Sequence, residues 1–353
     1  MKIFEQSLLS FGSSRRKMET FYECLNATSK HGYEVEYFWV SGVTLVAVGV
    51  FGFIANIFNI IVLCRPRLRR RLFYNILTEM AIFDLLFIVT FCICAGVQSM
   101  ACTSKTFDSV RNMSYPLANV GLCGSIYAAV AVSIERFLSI SYAHLASRRK
   151  VWMYTIPVVM ITLIYNGPRF FYYKYSVING TITSTRNEWA DSSAYETIYT
   201  TWLQLLVESV IPILLLLIMN GLILRTIYFS PNEWSNSTIK KRRTTTRILL
   251  GLFLVILCCR APTVVVQILS HFGDPEDKSQ WYFMKPIEYL AVTLNSSLNF
   301  LIYCYVGTEF RDTLIGLYQR NYSTKAVHLN NDIFETTYQQ SNLQKETHLY
   351  VLT

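Results

Sequence analysis

The chain has 353 residues, of which 52% are hydrophobic and 16% are charged, and its formal net charge at neutral pH is +9. A mean hydropathy of +0.31 excludes an ordinary soluble protein of one or two domains and indicates a membrane protein. In a soluble chain this charge would suggest nucleic acid, but its distribution among the loops of a membrane protein indicates orientation, so we expect no nucleic-acid partner.

Seven apolar segments are each long enough to cross the roughly 30 Å hydrocarbon core of a bilayer as a helix. They are Phe38–Cys64, Phe73–Gln98, Met113–Ile140, Val151–Phe171, Ile198–Tyr228, Ile248–Leu269 and Trp281–Val306. We therefore predict an all-α membrane protein, a seven-transmembrane helix bundle over residues 38–306. The short apolar patch at the start of the chain is interrupted by Glu5 and lacks a small-residue cleavage site, so we expect no cleaved signal peptide.

Clusters of basic residues predict the orientation of the bundle. They occupy the first, third and fifth loops, which lie on one side: Arg65, Arg67, Arg69, Arg70 and Arg71; Arg148, Arg149 and Lys150; Lys240, Lys241, Arg242 and Arg243. By the positive-inside rule these loops are cytoplasmic, so residues 1–37 form an extracellular tail and the carboxyl terminus is cytoplasmic. We expect a multi-pass protein of the plasma membrane.

The outer segments contain three predicted glycosylation sites and two cysteines. Asn26, Asn112 and Asn179 begin Asn-x-Ser/Thr sequons on the predicted outer side. A bridge between Cys24 and Cys102 and a pair of free or buried thiols are equal alternatives that the sequence leaves open. The five histidines have no metal-ligand spacing, so we predict no metal site.

Polar side chains inside several spans need partners, because hydrocarbon offers none. Gln204 and Glu208 share one face of the fifth span. For Glu208, a cavity wall and a structural hydrogen bond to a neighbouring helix are equal alternatives. A polar stripe with a helical period runs along the seventh span and indicates a hydrated core: Glu288, Asn295, Asn299 and Tyr303.

After the last span, residues 307–318 space Phe310, Leu314 and Leu317 as one face of a short amphipathic helix, an eighth helix on the membrane surface. Residues 319–353 are polar and predict a disordered cytoplasmic tail.

Together these residues resemble the rhodopsin-like (class A) G-protein-coupled receptors over about residues 38–318. The matching positions are Asn56, Leu77-x-x-Met-Ala-x-x-Asp84-Leu-Leu, Glu135-Arg136-Phe137, Pro212, Cys259-x-x-Pro262, Asn299-Phe-Leu-Ile-Tyr303 and Phe310-Arg311. The end of the fourth span, Tyr165-Asn-Gly-Pro168-Arg-Phe-Phe171, is further similar to invertebrate FMRFamide-type neuropeptide receptors.

The resemblance implies an activation switch that couples to a heterotrimeric G protein, with Arg136 released on activation. The switch residues are Glu135, Arg136, Asn220, Arg260, Pro262, Asn299 and Tyr303. The pocket that holds sodium in inactive receptors corresponds to Asp84, Ser125, Asn295, Ser296 and Asn299. The resemblance implies no enzymatic activity and no cofactor besides that sodium, and it adds arrestin as a partner of the tail.

Departures from the family pattern carry their own expectations. No cysteine stands near Arg111 or in the loop Tyr172–Thr197, so the usual extracellular disulfide is absent and we expect a less rigid outer vestibule. Arg242 stands where an acid could lock Arg136, which predicts a weaker brake on basal activity. Thr293 replaces the retinal-binding lysine of opsins and Ala118 the aspartate of amine receptors, which disfavours both classes.

The expected ligand is a short extracellular peptide of the FMRFamide-like type. The candidate pocket residues are Gln98, Tyr115, Asn119, Gln204, Glu208, Gln267 and Glu288. Glu208 or Glu288 could pair the guanidinium of a ligand that ends in Arg-Phe-amide. A chemosensory or lipid receptor of the same fold is the nearest alternative, and a transporter or channel, which would show inverted repeats, is the alternative from another class.

Arg260 interrupts the sixth span beside Pro262, in the place of the usual aromatic switch residue. A guanidinium at the bilayer centre costs at least about 2.5 kcal/mol, so it needs protein, water or a carboxylate. The sequence favours two orientations of the Arg260 side chain equally. Arg260 either points into the sodium pocket and pairs with Asp84, so that the protein carries its own cation, or it turns outward to Glu208 or water.

Overall fold

The computed structural model describes residues 38–97, 105–142, 148–178, 181–192, 194–229, 236–272, 278–317 and 319. Helices form almost all of these ranges. They are α1 (Leu45–Leu63), α2 (Leu72–Phe91), α3 (Lys105–Ser141), α4 (Trp152–Phe170), α5 (Ile211–Phe229), α6 (Asn236–Phe272), α7 (Lys278–Ser297), α8 (Asn299–Val306) and α9 (308–317). The predicted tail 1–37 and nearly all of 319–353 lie outside the described residues.

Several of these helices have the length and composition of membrane spans. Within the described ranges, five single helices qualify, and α7 and α8 form a sixth as a pair bent by 41°. The helix α4 has 19 residues but carries Asn166 and Arg169 near one end, which lowers its hydropathy. Large apolar side chains such as Phe51 and Ile164 remain exposed on the outside of the bundle, where lipid covers them. The protein is a multi-pass membrane protein.

The helix α3 forms the core of the bundle. In its most apolar stretch 89% of the residues are buried, against 33–44% in the other four single spans. Its close contact with α2 depends on Gly121, because a Cβ atom there would lie 2.5 Å from the backbone nitrogen of Phe87. Small residues permit such backbone approaches between membrane helices.

The seventh span is broken at Leu298, between α7 and α8, although Phe300 stands where the class A receptors that the sequence resembles have a proline. The ring of Phe300 packs at 6.2 Å from that of Phe58 and at 6.1 Å from that of Phe310. The bend therefore forms without a proline, and α8 begins with Asn299 buried in the bundle.

A β-hairpin follows α4, an element that the all-α prediction did not include. Strands β1 (Tyr173–Ile178) and β2 (Thr181–Arg186) pair antiparallel, with Tyr173 opposite Arg186. The hydroxyl of Ser109 on α3 donates to the carbonyl of Ile182 at 2.9 Å. We call the end of the bundle that carries this hairpin the hairpin end.

A second hydrogen bond to the hairpin uses Asn112, whose amide nitrogen lies 2.8 Å from the hydroxyl of Ser184. The two bonds join the hairpin to α3 near Arg111, where the family's disulfide is absent. Asn112 is only 7% exposed and its amide nitrogen is engaged, which disfavours a glycan at this position, and glycosylation of Asn112 stays a prediction. The other two sequons, at Asn26 and Asn179, lie outside the described residues.

The opposite end of the bundle holds α9 against α2. The carboxylate of Glu309 accepts hydrogen bonds from Arg71 at 2.6 Å and from the hydroxyl of Tyr74 at 2.9 Å. Phe310 beside it is buried. The amphipathic segment predicted after the last span is thus a helix whose first turn is fastened to the bundle.

We expect Gly121→Ala to lower the thermal unfolding midpoint of the detergent-solubilised protein, because its methyl group must displace the backbone of α2. Overpacking of this kind costs about 1–3 kcal/mol. Gly221→Ala is the matched control, since a Cβ there meets nothing within 4 Å. Equal midpoints for the two variants would contradict the close α2–α3 contact.

We expect Asn112→Gln to leave the electrophoretic mobility of the expressed protein, and its shift on glycosidase treatment, the same as in the wild type. The reason is the burial of Asn112 against the hairpin. Asn26→Gln and Asn179→Gln serve as comparison variants in the same assay. Loss of a glycan's mass in Asn112→Gln would show that the Asn112 side chain is accessible.

Candidate functional site

A cavity of about 620 Å³ lies at the hairpin end, between α2, α3, α6 and α7. The hairpin and the π-helical segments Tyr195–Leu203 and Leu206–Val210, which precede α5, complete its wall. Its size is within the roughly 300–1,000 Å³ typical of small-ligand sites. Aromatic rings and charged groups share the lining: Phe87, Phe91, Tyr115, Tyr172, Tyr173, Tyr195, Tyr289, Arg111, Arg169, Glu208, Arg260, Lys285 and Glu288.

The cavity brings together residues that are far apart in the sequence. Six of the seven candidate pocket residues line it, namely Tyr115, Asn119, Gln204, Glu208, Gln267 and Glu288. The seventh, Gln98, lies outside the described residues. Their participation in ligand binding stays a prediction.

Glu208 forms the centre of a buried ion cluster beneath the cavity. It lies in the π-helical segment Leu206–Val210 and is 2% exposed. Its Oε1 is 3.2 Å from Nη2 of Arg169 and 3.1 Å from the hydroxyl of Tyr165, both on α4. The sequence left two alternatives for Glu208, a cavity wall and a hydrogen bond to a neighbouring helix. The structure shows both, since Glu208 lines the cavity and accepts a hydrogen bond from Tyr165 on α4.

Arg169 is the principal site residue that sequence reasoning missed. Its guanidinium is buried, bonds the side-chain oxygen of Asn119 and the hydroxyl of Tyr165, and lies 5.6 Å from the ring centre of Tyr199. An arginine at the end of a span ordinarily extends to the membrane surface. Arg169 lies in the last turn of α4 and points inward to Glu208 and Tyr165, which the sequence around it did not indicate.

Arg260 lies on the far side of Glu208. Its Nη1 is 3.8 Å from Oε2 of Glu208, and the residue is 1% exposed. The proposed pairing of Arg260 with Asp84 is therefore wrong, and the outward orientation is the one observed. The physical reason is that Asp84 is already satisfied by neutral donors, whereas the Oε2 of Glu208 is left for a second cation.

The carboxylate of Asp84 lies deeper in the bundle and is fully buried. It accepts a hydrogen bond from the hydroxyl of Ser125 at 2.6 Å and from the amide of Asn299 at 2.7 Å. Asn295 and Ser296 are buried on the same span. Carboxylate and hydroxyl oxygens such as those of Asp84 and Ser125 are ligands that suit a hard cation, and sodium binding at this pocket stays a prediction.

The switch residues near the other end of the bundle are also buried or half-buried. Nε of Arg136 lies 3.6 Å from Oε2 of Glu135, and its guanidinium carbon is 3.8 Å from the ring centre of Phe73. The hydroxyl of Tyr303 has no hydrogen-bond partner among the residues that the structure describes. The amide of Asn220 bonds within its own helix, to the carbonyl of Leu216.

The switch residue Pro262 and Arg242, the departure expected to weaken the brake on Arg136, both lie on α6. Arg242 donates to the carbonyl of Ile140 at 3.4 Å, so it contacts the end of α3 rather than the guanidinium of Arg136. Pro262 lies within the helix, directly before Thr263 and two residues after Arg260, and both of these neighbours line the cavity. The consequence of Arg242 for basal activity stays a prediction.

Tyr173, the first residue of the hairpin, and Tyr172 directly before it line the cavity, and the sequence did not mark either of them. Burial raises the pKa of the Tyr172 hydroxyl, and the guanidinium of Arg186 lowers it in part. The hydroxyl therefore stays protonated at neutral pH and is available as a donor and acceptor.

The seven described cysteines are free thiols, and Cys24 and Cys102 lie outside the described residues.

Comparison with known proteins agrees with this architecture. The chain is 29% identical over 303 residues to the FMRFamide receptor of Drosophila melanogaster, a match that covers 78% of this chain and 53% of that protein. The chain thus spans about half the length of this relative. It is 23% identical over 298 residues to a probable G-protein coupled receptor of Caenorhabditis elegans, with 77% of this chain and 67% of that protein covered.

The family comparison covers most of the helical bundle. Residues 55–303 match the 7 transmembrane receptor (rhodopsin family) profile, from α1 to the Tyr303 of α8. This stretch contains the Asp84 pocket, the Glu135-Arg136-Phe137 triplet and the cavity at the hairpin end. The chain belongs to the rhodopsin family of seven-transmembrane receptors.

Proposed function

We propose that the protein is a G-protein-coupled receptor of the plasma membrane for a short extracellular peptide of the FMRFamide-like type. The observation that carries the ligand class is the 29% identity to the Drosophila FMRFamide receptor over 78% of the chain. In this proposal the hairpin end faces outward and the arginine-rich loops face the cytoplasm, as the positive-inside rule predicts.

The lining of the cavity supports a peptide over a lipid. Rings of Phe91, Tyr115, Tyr195 and Tyr289 suit aromatic side chains, which gain from offset or edge-to-face contacts. Arginine, lysine and glutamate side chains among them would be left without partners by a hydrocarbon chain. A peptide supplies both kinds of group.

Glu288 is the better of the two predicted partners for a ligand arginine. Glu208 already holds Arg169 at 3.2 Å and Arg260 at 3.8 Å. Glu288 instead pairs with Lys285 at 3.0 Å, and the Lys285 side chain is 43% exposed. A ligand arginine can displace this exposed lysine from Glu288 at little cost, because exposed ion pairs contribute little free energy.

Signalling in this proposal begins with a population shift. The bound peptide favours a state in which Arg136 leaves Glu135 and Phe73 and contacts a heterotrimeric G protein, with Asn220 and Tyr303 supporting it. The unbonded hydroxyl of Tyr303 is available for that rearrangement. Arrestin is the proposed partner of the carboxyl-terminal tail, and sodium at Asp84 would favour the inactive state.

We expect Glu288→Gln to weaken activation by Phe-Met-Arg-Phe-amide at least about tenfold, because a hydrogen-bonded charge pair is lost. An analogue with neutral citrulline in place of arginine should be equally potent on the wild type and the variant. Second-messenger output in cells, corrected for surface expression, is the measurement. Glu188→Gln, an exposed position outside the cavity, is the matched control.

Equal losses for both peptides would reject Glu288 as the arginine partner. If a panel of amidated peptides produces no response from a receptor at the cell surface, the peptide assignment is wrong, and activity of a lipid or odorant panel would favour the chemosensory alternative.

We expect Arg136→Gln to retain peptide binding on whole cells and to lose at least about nine-tenths of agonist-driven nucleotide exchange on the G protein. The reason is that the proposed contact of Arg136 acts after binding. The measurement is GTP-analogue uptake by membranes. Exposed Arg70 on the same side offers Arg70→Gln as a control for charge. Full exchange in Arg136→Gln would contradict the proposed switch.

A further inference from the structure

The side chain of Arg260 lines the floor of the cavity without a hydrogen bond. Within the described part of the chain, its Nε, Nη1 and Nη2 atoms have no hydrogen-bond partner, and the side chain is 1% exposed. The 3.8 Å between its Nη1 and Oε2 of Glu208 is too long for a hydrogen bond. A guanidinium has five N–H donors, and leaving them buried and unbonded is costly.

The charges around Arg260 do not balance. Arg169 and Arg260 are both buried beside Glu208, and the other carboxylate of the cavity, Glu288, is paired with Lys285, so these five side chains carry one excess positive charge. Oε1 of Glu208 is already bonded by Arg169 and Tyr165. A buried positive charge without a matching negative charge destabilises the folded protein unless an anion binds beside it.

Thr263 presents a second unbonded polar group beside Arg260. It lies three residues further along α6, on the same face of the helix, and lines the same cavity. It is 2% exposed, and its hydroxyl oxygen has no hydrogen-bond partner in the described ranges. The guanidinium and the hydroxyl together offer donors to one group that occupies the cavity floor.

We propose that Arg260 and Thr263 form an anion subsite that binds a carboxylate of the ligand, such as an acidic side chain of a peptide. The inference rests on the proposed receptor function for the source of the carboxylate. Two carboxylate oxygens match the planar fork of a guanidinium, and charge-assisted bonds of this kind are short and strong. The bound carboxylate neutralises the excess charge of the cluster.

The subsite also relates ligand binding to the contact between the fifth and sixth spans. Arg260 on α6 faces Glu208 in the π-helical segment before α5. A ligand carboxylate on Arg260 competes with Glu208 for the same guanidinium. The acidic group of the ligand thereby weakens the attraction between these two spans at the cavity floor.

The first test needs no agonist. Thermal unfolding of the full chain in detergent is measured with sodium acetate and with sodium chloride at equal ionic strength, with neutral acetamide at the same concentration, and without any addition. We expect acetate to raise the midpoint of the wild type above that in acetamide, because a ligand of the folded state stabilises it. Arg260→Gln should abolish the rise, and Thr263→Val should reduce it.

The exposed Arg186 provides the matched control, since Arg186→Gln removes the same charge outside the cavity and should keep the full rise. No rise in the wild type, or a rise that persists in Arg260→Gln, would overturn the subsite. A rise with chloride equal to that with acetate would show that the subsite binds an inorganic anion, and would overturn the proposal that it binds a carboxylate of the ligand.

The second test uses two synthetic peptides, Asp-Phe-Met-Arg-Phe-amide and Asn-Phe-Met-Arg-Phe-amide, in a membrane binding assay. We expect the aspartate peptide to bind about tenfold more tightly to the wild type and equally to Arg260→Gln. Binding of both peptides with equal affinity to the wild type would overturn the ligand carboxylate while leaving the peptide receptor intact. If neither peptide binds but acetate stabilises through Arg260, the peptide assignment fails and the anion subsite stands.

Discussion

Two arginines share the single carboxylate of Glu208, and the hairpin end of the bundle is arranged around that sharing. Arg169 takes the closer position at 3.2 Å and is held there by Tyr165 and Asn119. Arg260 keeps the more distant position, at 3.8 Å and without hydrogen bonds. Because ions within a membrane protein must find partners inside it, these contacts join α4 and α6 to the segment before α5.

The need of buried polar groups for partners also determines the contacts of Asp84 and Asn56, which lie beneath the cavity. Asp84 is satisfied by Ser125 and Asn299, while the amide of Asn56 donates to the backbone carbonyl of Ser296 at 2.8 Å. These bonds connect α1, α2 and α3 with the bent seventh span. The absence of a proline at Phe300 does not prevent the bend, which places Asn299 beside Asp84. The cavity therefore lies above a layer in which Asp84 is fully bonded, whereas the side chains of Arg260, Thr263 and Ser296 have unbonded polar atoms among the described residues.

The hairpin end also shows how hydrogen bonds substitute for a missing covalent link. The family's disulfide would join α3 to the loop that here forms β1 and β2. Ser109 and Asn112 bond that hairpin instead, and Asn112 is buried as a result. A sequon reports only a local pattern, so it could not reveal that its asparagine faces the hairpin.

Sequence periodicity located the spans well, because an apolar run of about 20 residues has few alternatives to a membrane helix. It also identified six cavity residues, since a polar group in an apolar span must face the interior. It missed Arg169 because an arginine at a helix end has the alternative of reaching the membrane surface, and only the packing of α4 removes that alternative. It missed Tyr172 and Tyr195 because tyrosines are compatible with loops, interfaces and cavities alike.

The amino-acid sequence by itself determined that this protein crosses the membrane several times and that Glu208, Asp84 and Arg260 had to lie inside the bundle. The cost of exposing a charge to hydrocarbon depends only on residue type and depth, so it can be inferred from the chain alone. Only the tertiary structure decided which charge meets which. That choice depends on the distances and directions between helices: Arg260 faces Glu208 because Asp84 is already bonded by Ser125 and Asn299.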